Sequence, residues 1–140
     1  MKAFVLLLLL GTAAVAAAAG PPSLAASIQA AKWKKRVLLV AAPTAEEVSF
    51  RKQKQLLAAT PGGLQERDML VLEVLHSQLT AADRQYLQQE LKLQLSGFEV
   101  VLIGKDGGVK ERSTHPLTPE ALFGTIDQMP MRRQEMHRKQ

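Results

Sequence analysis

The sequence of 140 residues contains no cysteine. This absence excludes structural disulfides, thiolate metal ligands and catalysis by a thiol nucleophile. It also excludes a bacterial lipoprotein, because the lipid of such a protein is attached to a cysteine. The fold must therefore be held together by one packed apolar core, without a covalent cross-link.

Aromatic residues are also scarce, with one tryptophan and one tyrosine. The net charge is +5, but the basic excess lies in Lys32–Arg36 and in the tail 132–140, whereas residues 37–131 hold nine basic and twelve acidic residues. A nucleic-acid-binding domain typically has a basic face on its folded body, with stacking aromatics when the target is single-stranded. We therefore predict a protein partner and no nucleic acid. Weak contact with an anionic membrane surface is an alternative use of the basic ends.

The first nineteen residues have the composition of a signal peptide. Lys2 precedes an apolar run with five consecutive leucines, and Ala17-Ala18-Ala19 fits the small-residue pattern of a cleavage site. An uncleaved membrane anchor is the alternative, but the apolar run spans about 17 residues, which is short for crossing a bilayer. We predict export with cleavage after Ala19. Since an exported domain without disulfides is typical of bacteria, we expect a periplasmic or secreted protein.

The rest of the chain indicates one domain with a short extension at each end. We expect a flexible linker over residues 20–31, a folded domain over 32–136 and a basic tail over 137–140. The apolar run Val37–Ala41 is typical of a central strand that is covered on both faces.

A helix is predicted over residues 44–59, after the first strand. Thr44 and Glu47 have the spacing of a capping box at its start. The turn residues Thr60-Pro61-Gly62-Gly63 are expected to end it. A second strand follows at Met69–Leu75.

A second helix is predicted to begin after Thr80 and to continue to Ser96-Gly97. Leu87, Leu91 and Leu95 recur at the spacing of one helical face. Two further strands, 98–104 and 109–113, are joined by the turn Lys105-Asp106-Gly107-Gly108, since Asp-Gly between strand patterns indicates a tight hairpin.

A last helix is predicted after Thr118, with Pro119 at its first position and Pro130 as a kink or an end. The order of elements is thus β-α-β-α-β-β-α. The right-handed crossover rule makes the first two strands parallel. We predict a thioredoxin-like α/β fold, with a mixed four-stranded sheet in the order 2-1-3-4 and helices on both faces.

Four blocks of the sequence resemble the family catalogued as domain of unknown function 4174. They are Arg36–Val40, Gln65–Asp68, Gly104–Lys110 and Ile126-Asp127 with Met129–Met136. The resemblance covers Trp33 to Met136. It implies a thioredoxin- or peroxiredoxin-like fold, export and no settled activity. The same module is found in sushi-repeat extracellular proteins and in a coiled-coil-named matrix protein of vertebrates.

The sequence departs from the thiol enzymes of this fold at both of their active-site positions. Those enzymes place a cysteine at the start of the helix after the first strand, in peroxiredoxins as Thr-x-x-Cys, where the helix lowers its pKa. This chain has Thr44-x-x-Glu47, and a carboxylate cannot replace a thiolate. Thioredoxins have a proline before the third strand, where this chain has Ser96-Gly97. We predict neither thiol oxidoreductase nor peroxiredoxin activity.

The segment Met129–Arg133 is the leading candidate for a binding site. Flexible thioethers of Met129 and Met131 beside the guanidinium groups of Arg132 and Arg133 suit a partner surface with apolar and acidic parts. The alternative is that the methionines pack on the sheet while the arginines complement the end of the last helix.

Lys105 and Asp106 are further candidates at the hairpin turn. A phosphate-binding loop would have the G-x-x-x-x-G-K-[ST] pattern and would lead into a helix, and this segment does neither. A plain turn with both side chains exposed is the favoured interpretation.

The three histidines, His76, His115 and His137, lack the spacing of metal ligands, so we predict no metal and no cofactor. Trp33 lies among lysines and either anchors at a membrane interface or, as we expect, packs over the start of the sheet. The overall prediction is an exported, non-catalytic interaction module. A thiol-independent enzyme with a cleft near the start of the first predicted helix is the alternative.

Overall fold

The structure, a computed structural model, describes residues 20–140. The predicted signal peptide over residues 1–19 and its cleavage site lie outside the described residues. Four strands form one sheet: β1 (Arg36–Ala42), β2 (Met69–Leu75), β3 (Glu99–Ile103) and β4 (Val109–Ser113). The helices of the described part are α1 (Leu24–Ala31), α2 (Val48–Ala58), α3 (Pro61–Glu66), α4 (Ala81–Gln89), α5 (Pro119–Asp127) and α6 (Pro130–Arg138).

The sheet has the order β2-β1-β3-β4, as predicted. β1 pairs with β2 in parallel and with β3 antiparallel, and β4 completes a hairpin with β3. The turn of that hairpin has Gly107 at a φ of 85°, a conformation that glycine adopts without steric cost. The predicted hairpin is therefore confirmed.

β1 is buried along its whole length because helices cover both faces of the sheet. Its side chains alternate between two apolar cores, as the pleat of a strand requires. On one face Val37, Leu39 and Ala41 pack with residues of α1 and α4. On the other face Leu38, Val40 and Ala42 pack with residues of α2 and α5.

The segment predicted as a flexible linker is mostly the helix α1, so that prediction is wrong for Leu24–Ala31. The Ser23 side chain accepts a hydrogen bond from the Ala26 backbone at 3.1 Å and caps the helix. Ile28 and Ala31 are buried in the core. Small residues suggested a loose segment, but alanine is also the best helix former, and packing on the sheet decides between the two.

The predicted capping of α2 by Thr44 is also wrong. The helix begins at Val48, and the Glu47 carboxylate accepts a hydrogen bond from the backbone N–H of Phe50 at 2.7 Å. Glu47 therefore caps the helix alone, three residues later than expected.

Two helix ends differ from the prediction. Pro61-Gly62-Gly63 ends α2 but also begins the short helix α3, with Pro61 in its first turn, where a missing N–H costs nothing. α4 ends at Gln89, and the chain continues through Lys92, which has a φ of 57°, with Leu91 and Leu93 on either side of it in the core. The leucine spacing thus continued beyond the helix that it predicted. Within residues 20–140, no helix is both long enough and apolar enough to cross a membrane.

Candidate functional site

A cleft of about 410 Å³ opens at the edge of the sheet where β1 begins. We call it the Trp33 cleft. Its walls come from Trp33 and Arg36 before and in β1, from Gly104, Lys105, Asp106 and Lys110 of the hairpin, and from Met129, Pro130 and Met131 at the start of α6. The volume is in the range of ligand sites in proteins. The predicted site residues Lys105, Asp106, Met129 and Met131 therefore meet in one place.

The sheet topology brings these segments together. β1 and β3 run antiparallel with Val37 opposite Ile103, so the start of β1 lies beside the end of β3. The backbone N–H of Trp33 donates to the carbonyl of Lys105 at 2.6 Å and joins the two segments directly. Pro130 occupies the first turn of α6, which starts the last wall of the cleft.

Trp33 lies exposed at this cleft instead of packing over the sheet, so the favoured prediction for it is wrong. Its side chain is 62% exposed, and its backbone has a φ of 67°. The left-handed conformation costs a residue with a Cβ about 1–2 kcal/mol. The Lys32 ammonium lies 5.8 Å from the centroid of the indole ring, within the reach of a cation–π interaction. The chain thus tolerates backbone strain while an apolar ring stays in water.

Lys105 is buried, with 9% of its surface exposed, which contradicts the prediction of an exposed turn residue. Its ammonium contacts the carboxylates of Asp68 at 2.9 Å and Glu135 at 2.7 Å. The hydrogen bond from Lys105 holds the pKa of Asp68 below its ordinary value, against the effect of burial. Asp106, by contrast, is exposed as predicted, and Lys110 contacts it at 2.8 Å.

Glu135 is the centre of the charges behind the cleft. Its carboxylate accepts hydrogen bonds from both terminal nitrogens of Arg36, each at 3.2 Å, and from Lys105. Burial by itself would raise the pKa of Glu135, but the hydrogen bonds from Arg36 and Lys105 outweigh burial and lower it. Arg36 is only 1% exposed, and its Nε, also buried, has no hydrogen-bond partner among the described residues.

Arg132 is committed to contacts inside the fold. It is 1% exposed, and its guanidinium contacts Asp127 at 3.0 Å and Glu66 at 2.9 Å. Arg67 contacts the same Asp127 at 2.8 Å and stacks on the Phe123 ring. The structure thus places Arg132 away from the cleft, and only its neighbour Arg133 is exposed.

Together these contacts form one ion network. It joins four cations, Arg36, Arg67, Lys105 and Arg132, to four carboxylates, Glu66, Asp68, Asp127 and Glu135. The contact of Arg132 with Glu135 at 3.8 Å connects the two halves of this network. Every member belongs to one of the four sequence blocks that carry the family resemblance. The network ties α3, the hairpin, α5 and α6 to the start of β1. The sequence shows both cations and carboxylates in these blocks. It does not show which of them pair, because the partners lie up to 99 residues apart.

At the opposite edge of the sheet, where thiol enzymes of this fold have their cysteine, this chain has a helix cap and a separate cleft. The length of β1 separates this edge from the Trp33 cleft by about 20 Å. Glu47 is used there as a helix cap. A second cleft, of about 500 Å³, is lined by Ser96, Gly97 and neighbouring residues, and neither Thr44 nor Glu47 is part of its lining. Burial lowers the pKa of His76 at the end of β2, so this side chain favours its neutral form.

Acidic and histidine side chains in residues 20–140 form no group of three or more that could hold a metal ion. The carboxylates at the Trp33 cleft are each engaged by a lysine or an arginine. Their lowered pKa values keep them charged, so they act as fixed partners of cations.

The comparisons with known proteins agree with this architecture. Sushi repeat-containing protein SRPX of Rattus norvegicus is 34% identical over 114 residues, which are 74% of this chain and 25% of that protein. Sushi repeat-containing protein SRPX2 of the same species is 32% identical over 117 residues, or 76% of this chain and 25% of that protein. The chain therefore spans about a quarter of the length of these relatives.

A solved structure, the reduced 2-Cys peroxiredoxin of Plasmodium vivax, matches with a TM-score of 0.52 over 80% of this chain and 84% of that one. The sequences are 14% identical, so the likeness concerns the fold alone and confirms it as thioredoxin-like. Residues 27–135 match the family described as Domain of unknown function (DUF4174). That match covers the β-sheet, the ion network and the Trp33 cleft, and the chain belongs to this family.

Proposed function

We propose that this chain is an exported, non-catalytic binding module whose binding site is the Trp33 cleft. The observation that carries the proposal is the exposed indole of Trp33, held by a left-handed backbone at the cleft. Strain of this kind is typically found at functional positions. A large aromatic side chain in water is available for burial by a partner, and aromatic anchors of this type dominate the energetics of many interfaces.

The chemistry of the cleft favours binding over catalysis. A general acid or base works best with a pKa near the working pH. The hydrogen bond from Lys110 lowers the pKa of Asp106, which lines the cleft. The hydrogen bonds from Arg36 and Lys105 lower the pKa of Glu135, which lies behind the cleft. These carboxylates are deprotonated at neutral pH, so they cannot act as general acids, and their lowered pKa values make them weak general bases.

Export is the second part of the proposal. It is supported by the apolar N-terminal sequence with its small-residue cleavage pattern, and by relatives that are sushi repeat-containing proteins. A periplasmic location is our expectation for a domain that needs no disulfide.

The alternative of a thiol-independent enzyme near the start of α2 has less support. One cleft is built around Ser96 and Gly97, and a separate open depression lies over Val48, Arg51, Lys52 and Gln55 of α2. Neither is lined by Thr44 or Glu47, the residues on which the alternative depended. The Glu47 carboxylate also accepts a hydrogen bond from the backbone N–H of Phe50 in its own helix.

A site-specific photo-cross-linker tests the proposal. The photoreactive residue replaces Met131 in the cleft or, as a control, Gln88 on the exposed side of α4. Both proteins are irradiated in the periplasm of bacteria that express them. We expect a covalent partner at position 131 that is absent at position 88. The product should disappear when Trp33→Ala is added, and the purified partner should bind the wild-type chain. Equal products at both positions, or none at position 131, would contradict binding at this cleft.

A further inference from the structure

We propose that the occupant of the Trp33 cleft is an acidic segment of a partner protein that inserts an apolar side chain. This inference rests on the proposed function and adds the chemical class of the ligand.

The apolar requirement follows from the walls of the cleft. Trp33, Met129, Pro130 and Met131 all line the same space, and Met129 also packs against the core between the sheet and α5. Thioethers adjust their shape to different apolar groups, as methionines do at other binding surfaces. A linear polyanion such as a sulfated polysaccharide would use the lysines and leave these walls empty.

The acidic requirement follows from the distribution of paired and unpaired cations. The cations in the cleft walls are already neutralised, since Arg36 and Lys105 share Glu135 and Lys110 contacts Asp106. Lys32, Lys34 and Lys35, which flank Trp33, form no salt bridge within the described residues. The Lys32 side chain extends toward Gly107 of the hairpin, where its Cε lies 3.5 Å from the place of a glycine Cβ. The three lysines are neighbours of the aromatic anchor in sequence. Lys32 lies over its ring, and Lys35 is near enough to Asp68 to lower the pKa of that carboxyl without a salt bridge. This local excess of positive charge selects a negative partner by complementarity.

A buried donor also belongs to the cleft wall. Arg36 lines the cleft and is almost fully buried, yet its Nε has no acceptor among the described residues. Buried donors in folded proteins are nearly always satisfied. In this proposal an oxygen of the bound segment, from a carboxylate or from a backbone carbonyl, supplies the missing acceptor beside Arg36.

A membrane surface fits the geometry less well. An interfacial anchor needs its tryptophan on a projecting, apolar surface, with the lysines around it at the head groups. Here the apolar groups form concave walls, which match a single inserted side chain better than a lipid layer.

Fluorescence tests the inference directly, because Trp33 is the only tryptophan of the chain. The protein from Gly20 to Gln140 is titrated with a capped peptide in which aspartates flank a leucine. Two matched peptides replace either the leucine by alanine or the aspartates by asparagines. We expect a change in Trp33 emission with the first peptide, and binding weakened about tenfold, or 1.4 kcal/mol, with each of the others. Raising the salt from about 0.05 M to about 0.5 M should weaken both peptides that contain aspartate and leave the asparagine peptide nearly unchanged.

Two protein variants separate the contributions. Replacing Lys32, Lys34 and Lys35 by Gln should weaken the acidic peptide about tenfold and leave the neutral peptide unchanged. Replacing Lys52, Arg138 and Lys139 by Gln removes the same charge from exposed positions outside the cleft walls and should change neither. Met131→Ala should weaken both leucine peptides.

The outcomes are distinguishable. Equal binding of the acidic and neutral leucine peptides would refute the acidic requirement while leaving the cleft as a binding site. Emission changes with anionic phosphatidylglycerol vesicles but with no peptide would refute it in favour of a membrane surface. If heparin bound the wild-type chain and the Met131→Ala variant with the same affinity, the apolar requirement would be refuted. If no probe changed the Trp33 emission and no partner were cross-linked at position 131, both the inference and the proposed function would be refuted.

Discussion

Replacing Glu135 by Gln removes the carboxylate on which Arg36 and Lys105 converge. The amide has nearly the same shape, so the substitution changes charge with little change in volume. One of its two polar atoms becomes a donor that faces cationic donors. Because Glu135 is 12% exposed and Arg36 is 1% exposed, water replaces the lost charge poorly.

The expected loss follows from these contacts. Breaking a buried ion pair by removing one partner costs about 3–5 kcal/mol. Lys105 keeps its contact with Asp68 at 2.9 Å, and Arg36 keeps its hydrogen bond to the carbonyl of Arg67, so part of the interaction remains. We therefore expect Glu135→Gln to lower the free energy of unfolding by about 2–4 kcal/mol, a large part of the 5–15 kcal/mol typical of a domain. This value measures unpaired cations left in the fold; it is not the net stabilisation of the whole network.

The measurement is urea unfolding followed by circular dichroism and by Trp33 fluorescence. With a urea dependence near 2 kcal/mol per molar, a loss of 3 kcal/mol moves the midpoint by about 1.5 M. Glu73→Gln is the matched control, since Glu73 and its partner Lys54 are 46% and 50% exposed. An exposed pair of this kind contributes about 0–1 kcal/mol. If Glu135→Gln lowered the free energy of unfolding no more than Glu73→Gln does, the carboxylate of Glu135 would not be needed to compensate the buried Arg36 and Lys105.

Three further predictions concern local features of the fold. Glu47→Ala should destabilise the protein by about 1 kcal/mol in urea unfolding through loss of the α2 cap, whereas Thr44→Ala should cost less than about 0.5 kcal/mol; the reverse order would return the cap to Thr44. As the pH is lowered, the free energy of unfolding should decrease in two pH windows, one below 6.5 and one below 4.5. The unfolded chain binds a proton at His76 below its ordinary pKa of 6.5 while the folded chain resists it, and the lowered network carboxylates lose their contribution only below their ordinary values of 3.8 and 4.5. His76→Gln should flatten only the upper window of unfolding free energy against pH, and an unchanged upper slope would exclude His76 as its source. Gly107→Ala should cost about 1 kcal/mol in thermal unfolding because of its positive φ, whereas Gly62→Ala should cost nothing, and equal effects would argue against conformational strain at the turn.

Much of the fold could be predicted because its signals are local. The apolar run Val37–Ala41 indicates a strand covered on both faces, and Asp106-Gly107 indicates a hairpin turn, because both patterns depend on residues that are adjacent in sequence. Helix boundaries were less predictable. The spacing of Thr44 and Glu47 predicted a capping box that starts α2 after Thr44, whereas the helix begins at Val48 with Glu47 as its cap.

The candidate site was predicted only in part. Met129 and Met131 do line a cleft, but Arg132 beside them is buried in ion pairs, and Lys105 is buried where a turn residue was expected to be exposed. A helix position or a turn position does not reveal its partner when that partner lies many residues away. The role of these charged residues as ligands or as structural contacts was therefore open until the fold placed the carboxylates beside them.

The sequence by itself determined the strand order, the hairpin, the absence of thiol chemistry and the family, since each depends on residue identity and on short-range pattern. The tertiary structure decided which charges neutralise one another and which remain for a partner. Glu135 reaches Arg36 across 99 residues of chain and Lys105 across 30, so their pairing depends on how the sheet edge and α6 come together. The same closure leaves Trp33 exposed beside its unpaired lysines, because the space over the start of β1 is occupied by the hairpin and by α6.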